Sequence, residues 1–65
     1  MNKLDILFIQ YMDSLYLSFK SDALEQIEKL LLDIPKQYEK GKLSIDHFIA
    51  LMNTGRTMTR MMKEH

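Results

Sequence analysis

The chain has no cysteine, no tryptophan, a single proline and only two glycines among its 65 residues. Without cysteine it can form neither a disulfide nor a thiolate metal site, and it has no thiol nucleophile. His47 and His65 are too few to predict a metal site. We therefore predict no bound metal, and we expect so small a domain to gain stability by associating with another chain.

An excess of charge of one sign is also lacking. Nine basic and nine acidic residues cancel, and the sequence pI is about 6.7, so net charge does not draw the chain toward nucleic acid or an acidic membrane surface. The sequence is 46% apolar and 28% charged, which is typical of a folded domain. Because no secretory signal pattern is present, the expected compartment is the cytoplasm.

Residues 3–19 are too apolar for an ordinary surface helix. At about 100° per residue, nine apolar side chains cover roughly 200° of a helix, twice the usual apolar stripe. The nine are Leu4, Leu7, Phe8, Ile9, Tyr11, Met12, Leu15, Tyr16 and Phe19. Ile6 and Leu17 lie outside even this arc, among polar residues.

Three interpretations of this first helix are open. It could be the central helix of a monomeric bundle, a helix shared between the core and an interface, or a membrane segment. A membrane span needs about 20 mostly apolar residues, whereas Asp5, Gln10 and Asp13 interrupt a shorter run. We predict no membrane contact and favour the shared helix.

A second helix is predicted over residues 22–40. Asp22 and Glu25 have the spacing of a capping box, which satisfies free amides at a helix start. The apolar residues that follow have the alternating three and four spacing of a seam against an antiparallel neighbour. They are Leu24, Ile27, Leu31, Ile34 and Tyr38. Pro35 predicts a kink or a restart, and Gly41 predicts the end of the helix.

A third helix is predicted over residues 44–63, with Ser44 as its N-terminal cap. Its expected inner stripe contains four apolar residues, with Leu51 alongside. The four are Ile45, Phe48, Ile49 and Met52. Gly55 weakens this helix by roughly 1 kcal/mol relative to alanine, but the methionines beyond it resume helical spacing, so we expect the helix to continue.

Together these patterns predict one all-α domain spanning residues 1–65. Its architecture would be a small bundle of three helices, a helical hairpin plus a third helix, and we expect it to form a homodimer.

Residues that could support catalysis are hard to find. Asp46 and His47 are adjacent, but neighbours on a helix point about 100° apart and do not form a general-base pair. We expect His47 to be an exposed first-turn residue. The sequence has no glycine-rich phosphate loop and no nucleophile elbow. We therefore predict a non-enzymatic protein without a cofactor or a small-molecule substrate.

The function that the sequence favours is binding to another protein, as a regulator, inhibitor, adaptor or chaperone-like module. The expected contact residues lie on the first helix and among the methionines of the third, since methionine makes adaptable binding surfaces. They are Leu7, Tyr11, Leu15, Met58, Met61 and Met62.

The alternative is a small dimeric nucleic-acid-binding regulator. Arg56, Arg60 and Lys63 have the spacing of one helical strip and are the candidate phosphate contacts. Three charges without interleaved aromatic residues are a weak nucleic-acid signature. They are also what a solvated helix C-terminus prefers, because its dipole is negative there.

Overall fold

A computed structural model of the protein describes residues 3–64, with side chains described from Asp5 onward. The three helices are α1 (Lys3–Lys20), α2 (Leu24–Glu39) and α3 (Ile45–Lys63), and the described residues contain no strand. The predicted all-α class with three helices packed together is confirmed, while the dimer stays a prediction. The side chain of Leu4 and all of His65 lie outside the described residues.

The connection from α1 to α2 is a C-terminal cap of α1. The amide of Asp22 donates to the carbonyl of Phe19, and that of Ala23 donates to the carbonyl of Ser18. This pair of bonds defines a Schellman motif, which needs a left-handed residue, and Asp22 supplies it with φ 58°. The predicted capping box on Asp22 is wrong, because Ala23 is the N-cap of α2 and no side chain caps that helix.

The connection from α2 to α3 follows the sequence prediction at both ends. Gly41 has φ 75°, the left-handed conformation that glycine adopts without steric cost, and its amide donates to the carbonyl of Tyr38. Ser44 caps α3, since its hydroxyl accepts a hydrogen bond from the amide of His47 at 3.1 Å. Both devices satisfy backbone groups that a helix end leaves unpaired.

Pro35 lies inside α2, which continues to Glu39 without a restart. The proline has no amide to donate to the carbonyl four residues earlier. Ile27 and Ile34 of the predicted seam are fully buried. Tyr38, at the end of the seam, is half-exposed and stacks on Phe48 with ring centroids 4.6 Å apart.

The three helices run up, down and up. Contacts of Tyr11 with Asp33 and of Ser18 with Gln26 make α1 and α2 antiparallel, and the Tyr38–Phe48 stack and the approach of Leu31 to Gly55 do the same for α2 and α3. The core lies where all three meet. Its buried apolar side chains are Leu15, Ile27, Ile34, Leu43 and Leu51.

The inner face of α3 differs from the predicted stripe. Ile45 and Ile49 are 50% and 49% exposed, whereas Leu51 and Gly55 are buried. Gly55 explains this orientation, because a side chain there would meet Leu31 of α2. The glycine side of α3 therefore faces α2 at close range, and the two isoleucines are turned outward.

Candidate protein-interaction surfaces

The α1 residues that were predicted to bind a partner are buried to different extents in the structure. Leu15 is fully buried in the core, so its prediction as a contact residue is wrong for this fold. Leu7 and Tyr11 are half-buried and pack against the same core. The three α1 residues that were predicted to bind a partner therefore pack mainly against the core of this chain.

The outward face of α1 is also apolar. Ile6, Ile9, Tyr16 and Leu17 are 46%, 42%, 53% and 63% exposed. At about 100° per residue, they fall within an arc of about 100°, which we call the α1 outer face. Monomeric proteins rarely expose contiguous apolar patches larger than a few hundred Å². The sequence already indicated an apolar outward face, since Ile6 and Leu17 lie outside the arc covered by the nine apolar residues of α1.

Two charged residues complete the α1 outer face. Asp13 and Lys20 fall in the same arc, one heptad apart, and both are exposed. The Lys20 ammonium lies 4.5 Å from the centroid of the Tyr16 ring, which is within cation–π range. The face thus combines apolar side chains with one charge of each sign.

The predicted methionine contacts are divided between core and surface. Met58 and Met62 are half-buried and pack against the core, while Met61 is 46% exposed. Met58 and Met61 line an open cleft of about 390 Å³ between α1 and α3, together with Phe19 and three polar residues of α3. Of the three, Met61 is the most available to a partner.

A polar contact joins α1 to α2 on the other side of the bundle. The Tyr11 hydroxyl donates a hydrogen bond to Asp33. The pKa of Tyr11 is raised to about 12, chiefly by burial and also by the hydrogen bond to Asp33 and the negative charge of its carboxylate. An open cleft of about 480 Å³ beside this contact is lined by residues including Ser18, Gln26 and Leu30.

We expect the Tyr11–Asp33 contact to make stability depend on alkaline pH. Because the folded state holds the Tyr11 proton more tightly than the unfolded chain does, this stabilisation is complete below pH 10 and is lost as the pH rises from about 10 toward about 12. Tyr11→Phe should remove the late component of phenolate absorbance at 295 nm, and Tyr16→Phe should leave it in place. Unchanged late absorbance in Tyr11→Phe would contradict this assignment.

His47 is another residue whose placement differs from expectation. Its side chain is only 23% exposed, and its ring stacks on Phe8 with centroids 4.2 Å apart. His47 Nε2 lies 3.5 Å from Asp5 Oδ1, while the buried Nδ1 has no hydrogen-bond partner among the described residues. The prediction of an exposed His47 is wrong, since the residue fastens the start of α3 to the start of α1. The sequence did not predict the contacts of His47 with Asp5 and Phe8, because these residues are far from His47 in the chain.

The basic residues Arg56, Arg60 and Lys63 are exposed on α3, on the side that borders α2. Within the described part of the chain, none of the three forms an ion pair with a carboxylate. They line an open cleft of about 350 Å³ with Leu31, Thr59 and Glu64. Their contact with nucleic acid stays a prediction.

Neither a protein-family model, nor a curated protein, nor a solved structure matches this chain. None of the three helices, over the residues described, is long and apolar enough to cross a membrane. Between residues 3 and 64 no group of three or more histidine, cysteine, aspartate or glutamate side chains could hold a metal ion. Function has to be inferred from the surfaces of this chain.

Proposed function

We propose that this protein is a small non-enzymatic interaction module of the cytoplasm, which associates through the α1 outer face and forms a homodimer when no other partner is bound. One observation carries the proposal. Helix α1 remains apolar on the side that α2 and α3 do not cover, with Leu17 63% exposed and Tyr16 53% exposed. Apolar surface of this kind is removed from water favourably, at about 25 cal/mol per Å².

The size of the core supports association with a second copy. Among the described residues, five apolar side chains are buried, four of them completely, and a chain of 65 residues has little room for more. Domains this small often depend on a staple or on oligomerisation. Because the chain has no cysteine, a second copy is the supplement that this protein can provide for itself.

The spacing along the α1 outer face fits a helix-to-helix seam. Ile6, Ile9, Asp13, Tyr16 and Lys20 follow each other at intervals of three and four residues, which is the repeat of positions that face a partner helix. Single polar residues in such a seam fix the register of pairing at some cost in stability. Asp13 and Lys20 are suited to that role.

A pair of charge substitutions tests the proposal. Leu17→Glu places a carboxylate on the α1 outer face. Leu32→Glu places one on an even more exposed leucine of α2, 71% exposed, whose helical neighbours include Glu28, Lys29 and Lys36. We expect sedimentation equilibrium to show a concentration-dependent dimer for the wild type and for Leu32→Glu, and a monomer for Leu17→Glu. Circular dichroism should show the same helix content in all three.

Two results would contradict the proposed interface. If the wild type is monomeric at every concentration and binds no hydrophobic dye, the α1 outer face does not function as an interface. A dimer that Leu17→Glu leaves intact would place the interface elsewhere on the molecule.

A further inference from the structure

Helix α3 carries a second outward surface, one side of which borders α2. Six residues share an arc of about 80°, and they extend over about 27 Å of the helix. In chain order they are Ile45, Ile49, Met52, Arg56, Arg60 and Lys63. We call this surface of six residues the α3 row. Its first half is apolar and its second half is cationic.

The apolar half of the α3 row is accessible. Ile45 and Ile49 are each about half exposed, at 50% and 49%, and Met52 beside them is half-buried against the core. This exposure follows from the close approach of Gly55 to Leu31, which turns the isoleucines outward. The exposed isoleucines are therefore a consequence of how α3 packs on α2.

The cationic half borders a cleft. Leu31 of α2 lies against α3 at Gly55, and the cleft beside it is lined by Arg56, Arg60 and Lys63. The Thr59 hydroxyl donates to the Gly55 carbonyl at 2.8 Å, so it is already satisfied within the helix. The cleft thus has an apolar wall and a cationic rim, with Glu64 at its end.

From this juxtaposition we infer that the α3 row docks an amphipathic helix of another protein, one that is acidic in its first turns and apolar in the turns that follow. Charge complementarity selects this occupant. Arg56, Arg60 and Lys63 are neighbours at i, i+4 and i+7 on the helix surface, so carboxylates at the same intervals on a partner helix can meet all three. Leucine or isoleucine farther along that partner would then cover Ile45 and Ile49, as in helix-in-groove recognition.

The helix dipole sets the direction of the partner. Acidic side chains stabilise the N-terminus of a helix, so a partner that carries its carboxylates there places its N-terminus at the C-terminal, cationic end of α3. The partner helix then runs antiparallel to α3. Complementary charge at one end fixes this register and direction, while the apolar contacts add affinity.

A protein helix fits this surface better than a nucleic acid does. Phosphates would meet the three cations, but they would leave Ile45 and Ile49 uncovered, and no aromatic side chain lies in the α3 row to stack on bases. The inference extends the proposed function to a second surface and does not require the α1 outer face to pair.

The test is a selection from a phage-displayed library of helical 18-residue peptides with randomised outward positions. We expect the enriched peptides to be acidic in their first half and apolar in their second. Arg56→Glu combined with Arg60→Glu, and separately Ile49→Asp, should each weaken binding of an enriched fluorescent peptide at least about tenfold. Lys36→Glu combined with Lys40→Glu, a matched change of two exposed lysines outside the α3 row, should leave binding unchanged.

Four outcomes would overturn the inference. The first is that the enriched peptides have no acidic half, and the second is that the wild type enriches peptides no more than the variant with Arg56→Glu and Arg60→Glu does. The third is that Ile49→Asp does not weaken peptide binding. The fourth is that a 20-nucleotide RNA or a 20-base-pair DNA binds more tightly than the peptide and that Ile49→Asp does not weaken this binding either. A peptide whose binding is lost in Leu17→Glu but not in the α3 variants would overturn it as well, while leaving the α1 outer face as the binding surface.

Discussion

Leu15→Ala is expected to lower the free energy of unfolding by about 3 kcal/mol, in the usual range for truncating a fully buried leucine. Leu15 is 0% exposed and belongs to the buried cluster where the three helices meet. The loss combines the transfer free energy of the removed methyl groups with the cavity left behind. Domains of this size rarely have more than about 3–5 kcal/mol to lose, so the variant should be largely unfolded at 37 °C.

Leu17→Ala is the matched control, because it removes the same atoms from the same helix two residues away. In the monomer Leu17 is 63% exposed, and exposed substitutions usually change stability by less than about 0.5 kcal/mol. Urea denaturation followed by circular dichroism at 222 nm measures both, at a protein concentration low enough to keep the wild type monomeric, because Leu17→Ala would also weaken a dimer formed through the α1 outer face. Equal losses for the two variants would contradict the division of α1 into an inward and an outward face.

Gly55→Ala is expected to destabilise the protein by about 1–3 kcal/mol, the usual range for forcing extra atoms into a packed site. Helix propensity alone predicts the opposite sign, since alanine is better than glycine by about 1 kcal/mol in a helix interior. Packing decides the outcome, because a Cβ at this position would lie 2.5 Å from Leu31 Cδ2 and 3.1 Å from its Cγ. The Leu31 side chain would have to shift to admit the new methyl group.

A double-mutant cycle isolates this contact. In a Leu31→Ala background the obstructing atoms are gone, so adding Gly55→Ala should be neutral or stabilising by up to about 1 kcal/mol. The two substitutions should therefore be coupled in thermal or urea unfolding. A stabilising Gly55→Ala in the wild-type background would mean that Leu31 moves aside at little cost.

Local sequence signals accounted for much of the architecture. The roles of Ser44 as a helix cap and of Gly41 as a helix end can be predicted from the sequence, because they depend on neighbouring backbone groups only. The helical periodicity likewise depends on intervals of three and four residues. Asp22 shows the limit of local reasoning, because the same aspartate can cap the helix that follows or end the helix that precedes, and here it adopts the left-handed conformation that ends α1.

The orientation of each helix was harder to predict. Apolar residues on α3 form two neighbouring stripes, one with Ile45 and Ile49 and one with Leu51, and periodicity alone ranks them nearly equally. Contact with Leu31 across the bundle decides between them, and this contact is set by Gly55. On α1 the same uncertainty assigned Leu15 to an interface, although it is the outward neighbours of Leu15 that remain uncovered.

The functional conclusion depends on these orientations. A charged residue at Leu15 would unfold the bundle, so a loss of binding in such a variant would say nothing about the interface. Substitutions at Leu17 and Ile49 leave the core untouched and can therefore separate the two proposed surfaces.

The two-sided apolar character of α1 also has a consequence for biosynthesis. Helix α1 precedes α2 and α3 in the chain, so it leaves the ribosome before the residues that cover its inward face have been made. During that interval both of its apolar faces are uncovered, and transiently exposed apolar surface is prone to aggregation. The nascent chain is therefore most vulnerable before Leu51, the α3 member of the core, becomes available to close the bundle.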